Sequence, residues 1–435
     1  MEENLIEEGE SSREGEVAPA LIVIHPRDKS AAVAVGPELR VYDIAGNCPI
    51  SLSDDSGGPS HSESIRAIGF GANGSVFASA GDDKLVKIWM TDSWHCTKTV
   101  YAEKRVSAVA VSHNGQHVVF ADKFGLVWAI ALGEGDEGQA PIDNKAVPIL
   151  GHYCSIITSL KFSPDGWFIA SADRDFKIRI TVFPKRPRKG AHEIQSFCLG
   201  HTDFVSCLAF ARPIDYPQGF LLSGGGDSTV RLWDFISGRL LHTCDFGAQA
   251  GLVKSNGTEM EGGSAVIDVC ASCDGSLIAV AIQSLHGIIL LNCDFSARTL
   301  SIAKVVTMEE SYVPTSLGLS DLPKHLWMVM GVSNIPTLGT TKLLSRVRVV
   351  SGFLKDPSDS SVRNAIIMGD SEVPGSEKLL EKLQGSLDVA EEEVTLAATA
   401  AAVKTSVHNL LIKKQYSLEK RELQKRSRND KKLKQ

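Results

Sequence analysis

Three residues in the middle of the chain have the types that a hydrolase triad requires. They are His201, Ser223 and Asp227, and Trp233 follows six residues after the aspartate. The same four side chains can instead form a buried hydrogen-bonded chain, in which each polar group satisfies the next and no substrate is touched. The elements that hold these residues decide between the two interpretations.

One pattern occurs twice around these residues and indicates what those elements are. The first copy covers residues 151–181, and the second begins at Gly200 and ends near residue 235. Each copy has Gly-His, an alternating apolar strand, a turn, a second strand ending in serine, an Asp-bearing loop and a third strand. A small antiparallel sheet cannot bury its apolar face alone, but stacked copies can. The repeats therefore predict a closed ring of all-β blades, a β-propeller.

The propeller fold favours the structural interpretation of the polar residues. In a blade, buried polar side chains must satisfy one another, so we reject the catalytic triad. The first copy is blade four of the predicted ring and the second copy is blade five. The predicted structural network of blade five consists of His201, Ser223, Asp227 and Trp233.

Blade four departs from the pattern of its neighbours. When blades two, four and five are aligned on their serines, Asp175 of blade four falls in the column of Asp83 of blade two. Thr181 falls in the column that holds tryptophan in the other two blades. We therefore expect Asp175 to complete the network of this blade with its histidine and serine. Alternation along the third strand sends Lys177 and Arg179 to the same side. A solvated strand edge and a binding surface are both compatible with these charges.

The chain divides into three parts. Residues 1–16 hold seven Glu against one Arg and are expected to be a disordered acidic lead. Residues 17–354 are predicted to form the propeller, with seven as the best count of blades and with degenerate first and last copies. Beyond residue 355 the apolar period becomes helical, so residues 355–435 are predicted to form a helical, partly disordered tail that is basic from about residue 404.

Composition and spacing argue against several kinds of site. No apolar run approaches 20 residues and no charged-then-apolar leader is present, so we expect a soluble intracellular protein without membrane contact. The glycines at 224–226 follow a strand but precede no helix, so no phosphate cradle is expected. Cys270 and Cys273 form the only CxxC, and they lack the second pair that a zinc site needs. We expect no catalytic residue, no metal and no cofactor in this chain.

The sequence of blades four and five resembles one family closely. SADRDFKIRI, SFCLGHTDFVS and SGGGDSTVRLWD resemble the WD-repeat, non-catalytic subunit of the eukaryotic tRNA (guanine-N7)-methyltransferase. The resemblance implies a seven-bladed WD-repeat β-propeller that does no chemistry. It also implies a heterodimer with a catalytic subunit that binds S-adenosylmethionine and forms N7-methylguanosine in the variable loop of tRNA. The implied location is the nucleus, with the cytoplasm as an alternative.

The partner-facing residues of that family carry over to the charged loop of blade four. They are Asp175, Lys177 and Arg179, with Asp173 and Arg174 beside them. Position 176, directly after Asp175, is often acidic in relatives and is a phenylalanine here. One salt bridge of the family is therefore in question.

The last part of the chain differs in charge from the rest. From Lys404 onward it holds eleven Lys and Arg against three Asp and Glu, a net of +8, whereas the whole chain sums to −7. A basic tail on an acidic body is predicted to contact tRNA phosphates, and a merely solvated tail is the alternative. The tRNA-contacting residues are predicted to be Lys413, Lys414, Lys420, Arg421, Lys425 and Arg426.

Two alternatives remain open at this point. The run Pro-Lys-Arg-Pro-Arg-Lys at 184–189 is either a solvated loop or a nuclear-import signal. The alternative function is that of a generic WD-repeat adaptor, such as a ubiquitin-ligase substrate receptor or a chromatin scaffold, because propellers host many functions.

Overall fold

The protein forms a ring of seven antiparallel sheets, as the repeats predict. The computed structural model describes residues 17–54, 60–133, 145–152, 155–247, 264–275, 277–321, 325–333, 343–353, 365–385 and 397–405. Within these residues, six sheets have four strands each, and the seventh has five. The seven-bladed propeller is confirmed.

The strands follow one another in chain order from blade to blade. β1 (Ala18–Pro19) belongs to the last blade, and blade one holds β2 (Leu21–Ile24), β3 (Ser30–Val35), β4 (Glu38–Asp43) and β5 (Cys48–Ile50). Blade two holds β6 (Ile65–Gly71), β7 (Val76–Gly81), β8 (Leu85–Met90) and β9 (His95–Tyr101). Blade three holds β10 (Val106–Val111), β11 (His117–Asp122), β12 (Leu126–Ala131) and β13 (Val147–Gly151).

The two blades that carry the charged loop and the polar network come next. Blade four holds β14 (Ile157–Phe162), β15 (Phe168–Asp173), β16 (Lys177–Val182) and β17 (Ile194–Leu199). Blade five holds β18 (Val205–Ala211), β19 (Phe220–Gly225), β20 (Thr229–Asp234) and β21 (Arg239–Asp245). Blade six holds β22 (Val266–Ala271), β23 (Ile278–Ile282), β24 (Gly287–Asp294) and β25 (Thr299–Thr307).

Blade seven closes the ring with strands from distant parts of the chain. It holds β26 (Ser316–Gly318), β27 (Leu326–Ser333), β28 (Leu344–Ser351) and β29 (Ile366–Ile367), together with β1. Both β26 and β1 pair with β27, and Ala18 lies opposite Ser333. Because β29 pairs with β28, the propeller extends past residue 354, where the sequence pattern placed its end.

The core lies between neighbouring blades, because each sheet stacks its apolar face on the next. Between blades four and five, for example, Ile178 and Ile180 pack with Leu208 and Trp233, all of them buried. Close stacking also explains a glycine. A Cβ at Gly224 would lie 2.4 Å from the Val266 side chain of blade six, so no larger residue fits there without movement.

Two helical segments pack on the ring. α1 (Ser376–Gln384) buries Leu379, Leu380 and Leu383 at the junction of blades seven and one. Its last turn is tied to blade seven, because Ser345 Oγ donates to the Leu383 carbonyl oxygen at 2.8 Å. Residues 397–405 are also helical, and they place Val403 in the core of blades six and seven. The helical character predicted for residues beyond 355 is confirmed for these two segments.

No helix among the described residues is long and apolar enough to cross a membrane.

Candidate functional site

The polar residues of blade five form a continuous hydrogen-bonded chain inside the sheet. Trp233 Nε1 donates to Ser223 Oγ at 2.8 Å, and Ser223 Oγ lies 2.7 Å from His201 Nε2. His201 Nδ1 lies 2.9 Å from Asp227 Oδ2. Ser223 and Trp233 have no exposed surface, so the serine has no access to a substrate. The four residues singled out by type and spacing therefore hold the second and third strands of the blade to its histidine.

The environment of the network fixes its charges. Burial alone would raise the pKa of the Asp227 carboxyl, but the hydrogen bonds and charge of His201, with those from Thr202 and Thr229, lower the pKa to about 2. Asp227 therefore stays ionised at neutral pH, and the histidine between the two polar groups acts as a structural link.

Blade two contains a second complete network, in which the sequence alignment identified Ser79, Asp83 and Trp89 but not the histidine. His61 Nδ1 lies 2.8 Å from Asp83 Oδ2, and His61 Nε2 lies 2.8 Å from Ser79 Oγ. Trp89 Nε1 donates to the same serine oxygen at 3.0 Å. Serine instead of glycine precedes His61, which hid the signal. The histidine precedes the serine by a similar number of residues in both blades, 18 in blade two and 22 in blade five, and this spacing could have revealed the histidine.

In blade four the network closes on a different aspartate from the one predicted. His152 Nδ1 lies 2.9 Å from Asp173 Oδ2, and His152 Nε2 lies 2.8 Å from Ser171 Oγ. Asp173 Oδ1 accepts the backbone N–H groups of Asp175 at 2.8 Å and Lys177 at 3.0 Å. The assignment of Asp175 to the network was therefore wrong. Asp173 is 2% exposed, which also removes it from the residues predicted to face a partner.

The physical reason is a change of residue two positions after the serine. Blade five has Gly225 there, and a Cβ at that position would lie 2.7 Å from the ring of His201 and 2.9 Å from Asp227. A side chain at this position thus enters the place that the network aspartate fills. Blade three also has an aspartate at this position, Asp122, which accepts a hydrogen bond from Trp128 Nε1 at 2.9 Å. In blades three and four the aspartate at the strand end therefore replaces the loop aspartate, and its other carboxylate oxygen accepts backbone N–H groups of the loop that follows.

Loss of the tryptophan leaves the network of blade four shorter. Thr181 is fully buried at the tryptophan position, and its hydroxyl has no hydrogen-bond partner among the described residues. Ser171 Oγ instead lies 3.3 Å from the carbonyl oxygen of Arg179. The blade thus keeps its histidine link without an indole.

The loop that follows Asp173 carries the charges predicted to face a partner. It joins β15 to β16, and Phe176 adopts φ 71° in it, the conformation that Lys84 and Ser228 adopt in the same turn of blades two and five. Lys177 is exposed, whereas Arg174 and Asp175 are half-buried. The turn therefore has the same left-handed backbone conformation in these three blades, whichever residue stands at the position of Phe176.

Cross-strand neighbours add apolar surface beside these charges. Lys177 lies opposite Leu199, and Arg179 lies opposite Phe197 on β17. Leu199 is 60% exposed and Phe197 is 44% exposed. Arg179 is half-buried and donates from Nη1 to the Gly151 carbonyl oxygen at 3.1 Å, which anchors its guanidinium. The structure thus combines cations with exposed apolar groups, a composition typical of protein interfaces. Sequence reasoning missed the two apolar residues, although the alternation of β17 signals them.

We call this the blade-four surface, formed by Arg174, Asp175, Lys177, Arg179, Phe197 and Leu199. The tail residues predicted to contact tRNA, Lys413, Lys414, Lys420, Arg421, Lys425 and Arg426, lie outside the described residues.

Comparison with known proteins gives the family of the chain. Residues 134–344, which include the blade-four surface, match the family described as the tRNA methyltransferase TRM82 WD40 domain. A Xenopus laevis protein, the tRNA (guanine-N(7)-)-methyltransferase non-catalytic subunit wdr4, is 31% identical over 292 residues, which cover 67% of this chain and 68% of that protein. The chain belongs to this family of non-catalytic subunits.

Other members of the tRNA (guanine-N7)-methyltransferase non-catalytic subunit family match over different lengths. The Dictyostelium discoideum wdr4 subunit is 27% identical over 366 residues, covering 81% of this chain and 73% of that protein. The Homo sapiens WDR4 subunit is 33% identical over 228 residues, covering 51% of this chain and 52% of that protein. Family membership favours a dedicated methyltransferase subunit over a generic WD-repeat adaptor.

Solved structures support the fold alone. The structure of U3-55K matches with a TM-score of 0.57 at 18% identity, covering 72% of this chain and 88% of that one. The crystal structure of RRP9 WD40 repeats matches with the same TM-score and identity. At this identity the likeness shows the WD-repeat propeller and carries nothing about partners.

Proposed function

We propose that this non-catalytic subunit forms a heterodimer with the catalytic subunit of a tRNA (guanine-N7)-methyltransferase, and that the blade-four surface is its docking site. The observation that carries the proposal is the pairing of Lys177 with the exposed Leu199, beside the anchored Arg179. An interface needs apolar area that loses water and charges that select the partner. The blade-four surface offers both within two neighbouring strands.

The division of labour follows from the chemistry of the residues. The network histidines, serines and aspartates are committed to holding blades together, so they are not available for proton transfer. We propose that the partner binds S-adenosylmethionine, and that this chain contributes a rigid surface that stabilises the partner. Formation of N7-methylguanosine in the variable loop of tRNA is then the activity of the complex, with the nucleus as its proposed location.

Charge reversal at the blade-four surface tests the docking site. Lys177→Glu is the cleaner variant, because Lys177 is exposed, and Arg179→Glu is the stronger one. A mismatched charge in a desolvated interface costs about 2–5 kcal/mol of binding free energy. Each variant should therefore raise the dissociation constant of the complex by roughly thirtyfold or more. The control is Lys378→Glu, which reverses an exposed lysine on α1.

The readout is co-purification with the methyltransferase subunit, together with the melting temperature of each free variant. We expect Lys177→Glu to melt like the wild type and Arg179→Glu to melt somewhat lower but still cooperatively, because it also loses the hydrogen bond to Gly151. Both variants should lose the partner, while Lys378→Glu keeps it. Normal co-purification of both blade-four variants would show that the partner docks elsewhere.

The basic tail is proposed to bring tRNA to the complex. The helical residues 397–405 are fixed to blade six, because Gln283 Nε2 donates to the Lys404 carbonyl oxygen at 2.8 Å. Deletion of residues 406–435 keeps this hydrogen bond and removes ten of the eleven cations of the tail. We expect lower tRNA affinity and a salt slope that flattens by about 0.7 to 0.9 for each phosphate that the tail neutralises. An unchanged slope would assign the tail no part in RNA binding.

A further inference from the structure

The basic run at 184–189 is the sequence feature that the proposed function leaves unused. It lies in the loop between β16 and β17, at the opposite end of β16 from the blade-four surface. With about 3.3 Å per strand residue, the two ends of this strand are roughly 17 Å apart. The basic run therefore forms a surface distinct from the blade-four surface.

An exposed tryptophan adjoins the basic loop. Trp167 closes the turn between β14 and β15, and its carbonyl oxygen accepts the N–H of Phe183 at 2.7 Å. The first basic residue, Lys185, follows Phe183 by two positions. The side chain of Trp167 is 59% exposed, although burying an indole is strongly favourable. The turn and the loop thus place an aromatic face and a group of cations at one end of the blade.

Three cations of the loop lie apart from carboxylates among the described residues. Lys185, Arg186 and Lys189 are exposed, and no carboxylate lies within ion-pair distance of them in the part of the chain that the structure describes. From Phe183 to His192 the sequence has no acidic residue. The nearest acidic residue of the turn, Asp165, already accepts the backbone N–H of Trp167 at 3.0 Å. A net negative chain therefore carries a local positive surface here.

The loop is folded rather than extended. Residues Pro187–Lys189 form a 3-10 turn, in which the N–H of Gly190 donates to the Pro187 carbonyl oxygen at 2.9 Å. Ala191 is buried, and its N–H donates to the Ile149 carbonyl oxygen of blade three at 2.8 Å. An import signal that binds its receptor in an extended conformation would have to give up the turn at Pro187–Lys189. The fold therefore favours a surface that binds in place.

We propose that Trp167 with Lys185, Arg186 and Lys189 binds an unpaired segment of the tRNA substrate. The cations contact phosphates, and the indole stacks on an unpaired base, which is how proteins hold single-stranded RNA. This inference rests on the proposed function, since it names a second RNA contact for the same complex. The surface lies on the propeller itself and is separate from the basic tail.

Two sets of substitutions separate the two kinds of contact. A triple variant, Lys185→Ser with Arg186→Ser and Lys189→Ser, removes three charges, and Trp167→Ala removes the stacking face. The control for the triple is Lys29→Ser with Arg239→Ser and Lys378→Ser, which removes three exposed cations from other blades and from α1. The control for the tryptophan is Ile214→Ala, because Ile214 is a 95% exposed apolar residue.

The measurement is the affinity of each full heterodimer for an unmodified, fluorescently labelled tRNA transcript over a range of salt concentrations. The triple variant should flatten the slope of log affinity against log salt by about 2, since each phosphate contact to a single strand contributes about 0.7. Trp167→Ala should weaken binding roughly tenfold without changing the slope. Both controls should bind as the wild type does, and all variants should form the heterodimer.

The outcomes distinguish this inference from the function on which it rests. If the wild-type heterodimer forms and methylates tRNA while both test variants bind tRNA normally, the surface does not contact RNA. Equal losses of affinity in the triple variant and its control would reduce the effect to net charge and overturn the proposal. If the triple variant binds tRNA normally but no longer accumulates in nuclei, the loop is an import signal. Failure of the wild-type chain to form the heterodimer would instead refute the proposed function.

Discussion

The aspartate that closes the network of blade four gives the sharpest test of the structure. Asp173→Ala removes a carboxylate that accepts two backbone N–H groups and lies within hydrogen-bond distance of the Nδ1 of His152. His152 is 8% exposed, so its ring nitrogen loses a partner that water replaces poorly. Hydrogen bonds to a charged group are each worth about 1.5–3 kcal/mol, and partial rehydration of the loop N–H groups returns some of this. We expect a net loss of about 3 kcal/mol in the free energy of unfolding.

The matched substitution is Asp175→Ala, two residues later in the same loop. The histidine of the network bonds to Asp173 and not to Asp175, which is half-buried, so we expect Asp175→Ala to cost less than Asp173→Ala does, about 1 kcal/mol. Urea unfolding of the free subunit, followed by tryptophan fluorescence, measures both. With a denaturant slope of about 3 kcal/mol per molar, Asp173→Ala should lower the midpoint by about 1 M.

The two substitutions should also differ in the complex. Asp175→Ala should weaken the heterodimer while sparing the fold, whereas Asp173→Ala should lower stability first. If Asp175→Ala destabilises the free subunit as much as Asp173→Ala does, the assignment of the network aspartate is incorrect. A midpoint for Asp173→Ala equal to that of the wild type would refute the energetic argument itself.

Three further predictions concern the network, the packing and the thiols. The pKa of Asp227, about 2, lies below its value in the unfolded chain, so the stabilisation that it provides is complete above about pH 4 and is lost as the pH falls through 2. Asp227→Asn should therefore lower the free energy of unfolding by roughly 2 kcal/mol at pH 7, measured by urea unfolding, and the difference from the wild type should shrink over that pH range. A constant difference would contradict the lowered pKa. Gly224→Ala should cost about 1–3 kcal/mol in the same assay, because a Cβ would meet Val266 at 2.4 Å; a neutral effect would mean that the blades separate easily. Burial raises the pKa of Cys207 to about 12, so iodoacetamide at pH 8 should label the exposed Cys48 first in mass spectra of the native protein, and early labelling of Cys207 would indicate an open blade.

The sequence predicts the ring well because the blade repeats itself. Alternation, turn dipeptides and the recurrence of serine and aspartate are local signals, and stacking of like units is the simplest way to bury their faces. The complete network of blade five follows from four residue types at fixed positions. The histidine of the blade-two network was missed because serine, not glycine, precedes His61.

Other features depend on contacts that no local pattern records. Asp173 and Asp175 are equally plausible in sequence, and only the space beside the histidine, which Gly225 leaves open in blade five, decides between them. The strands β1 and β29 have two residues each, too few for a period, so their pairing in blade seven is set by tertiary packing. Exposure of Phe197 and Leu199 likewise depends on which edge of the blade remains uncovered.

Closure of the ring in blade seven has a consequence for synthesis of the protein. On one side β27 pairs with β1, which lies near the start of the chain. On its other side β27 pairs with β28, which in turn pairs with β29, and β29 follows β1 by some 350 residues. While the ribosome is still translating blades two to six, the growing chain is an open arc that exposes an uncovered apolar blade face at each end and leaves β1 without its partner strand, and such surfaces attract other chains. We therefore expect nascent chains of this subunit to depend on chaperones until residues 366–367 have left the ribosome, and premature termination before that point to yield aggregates rather than a smaller propeller.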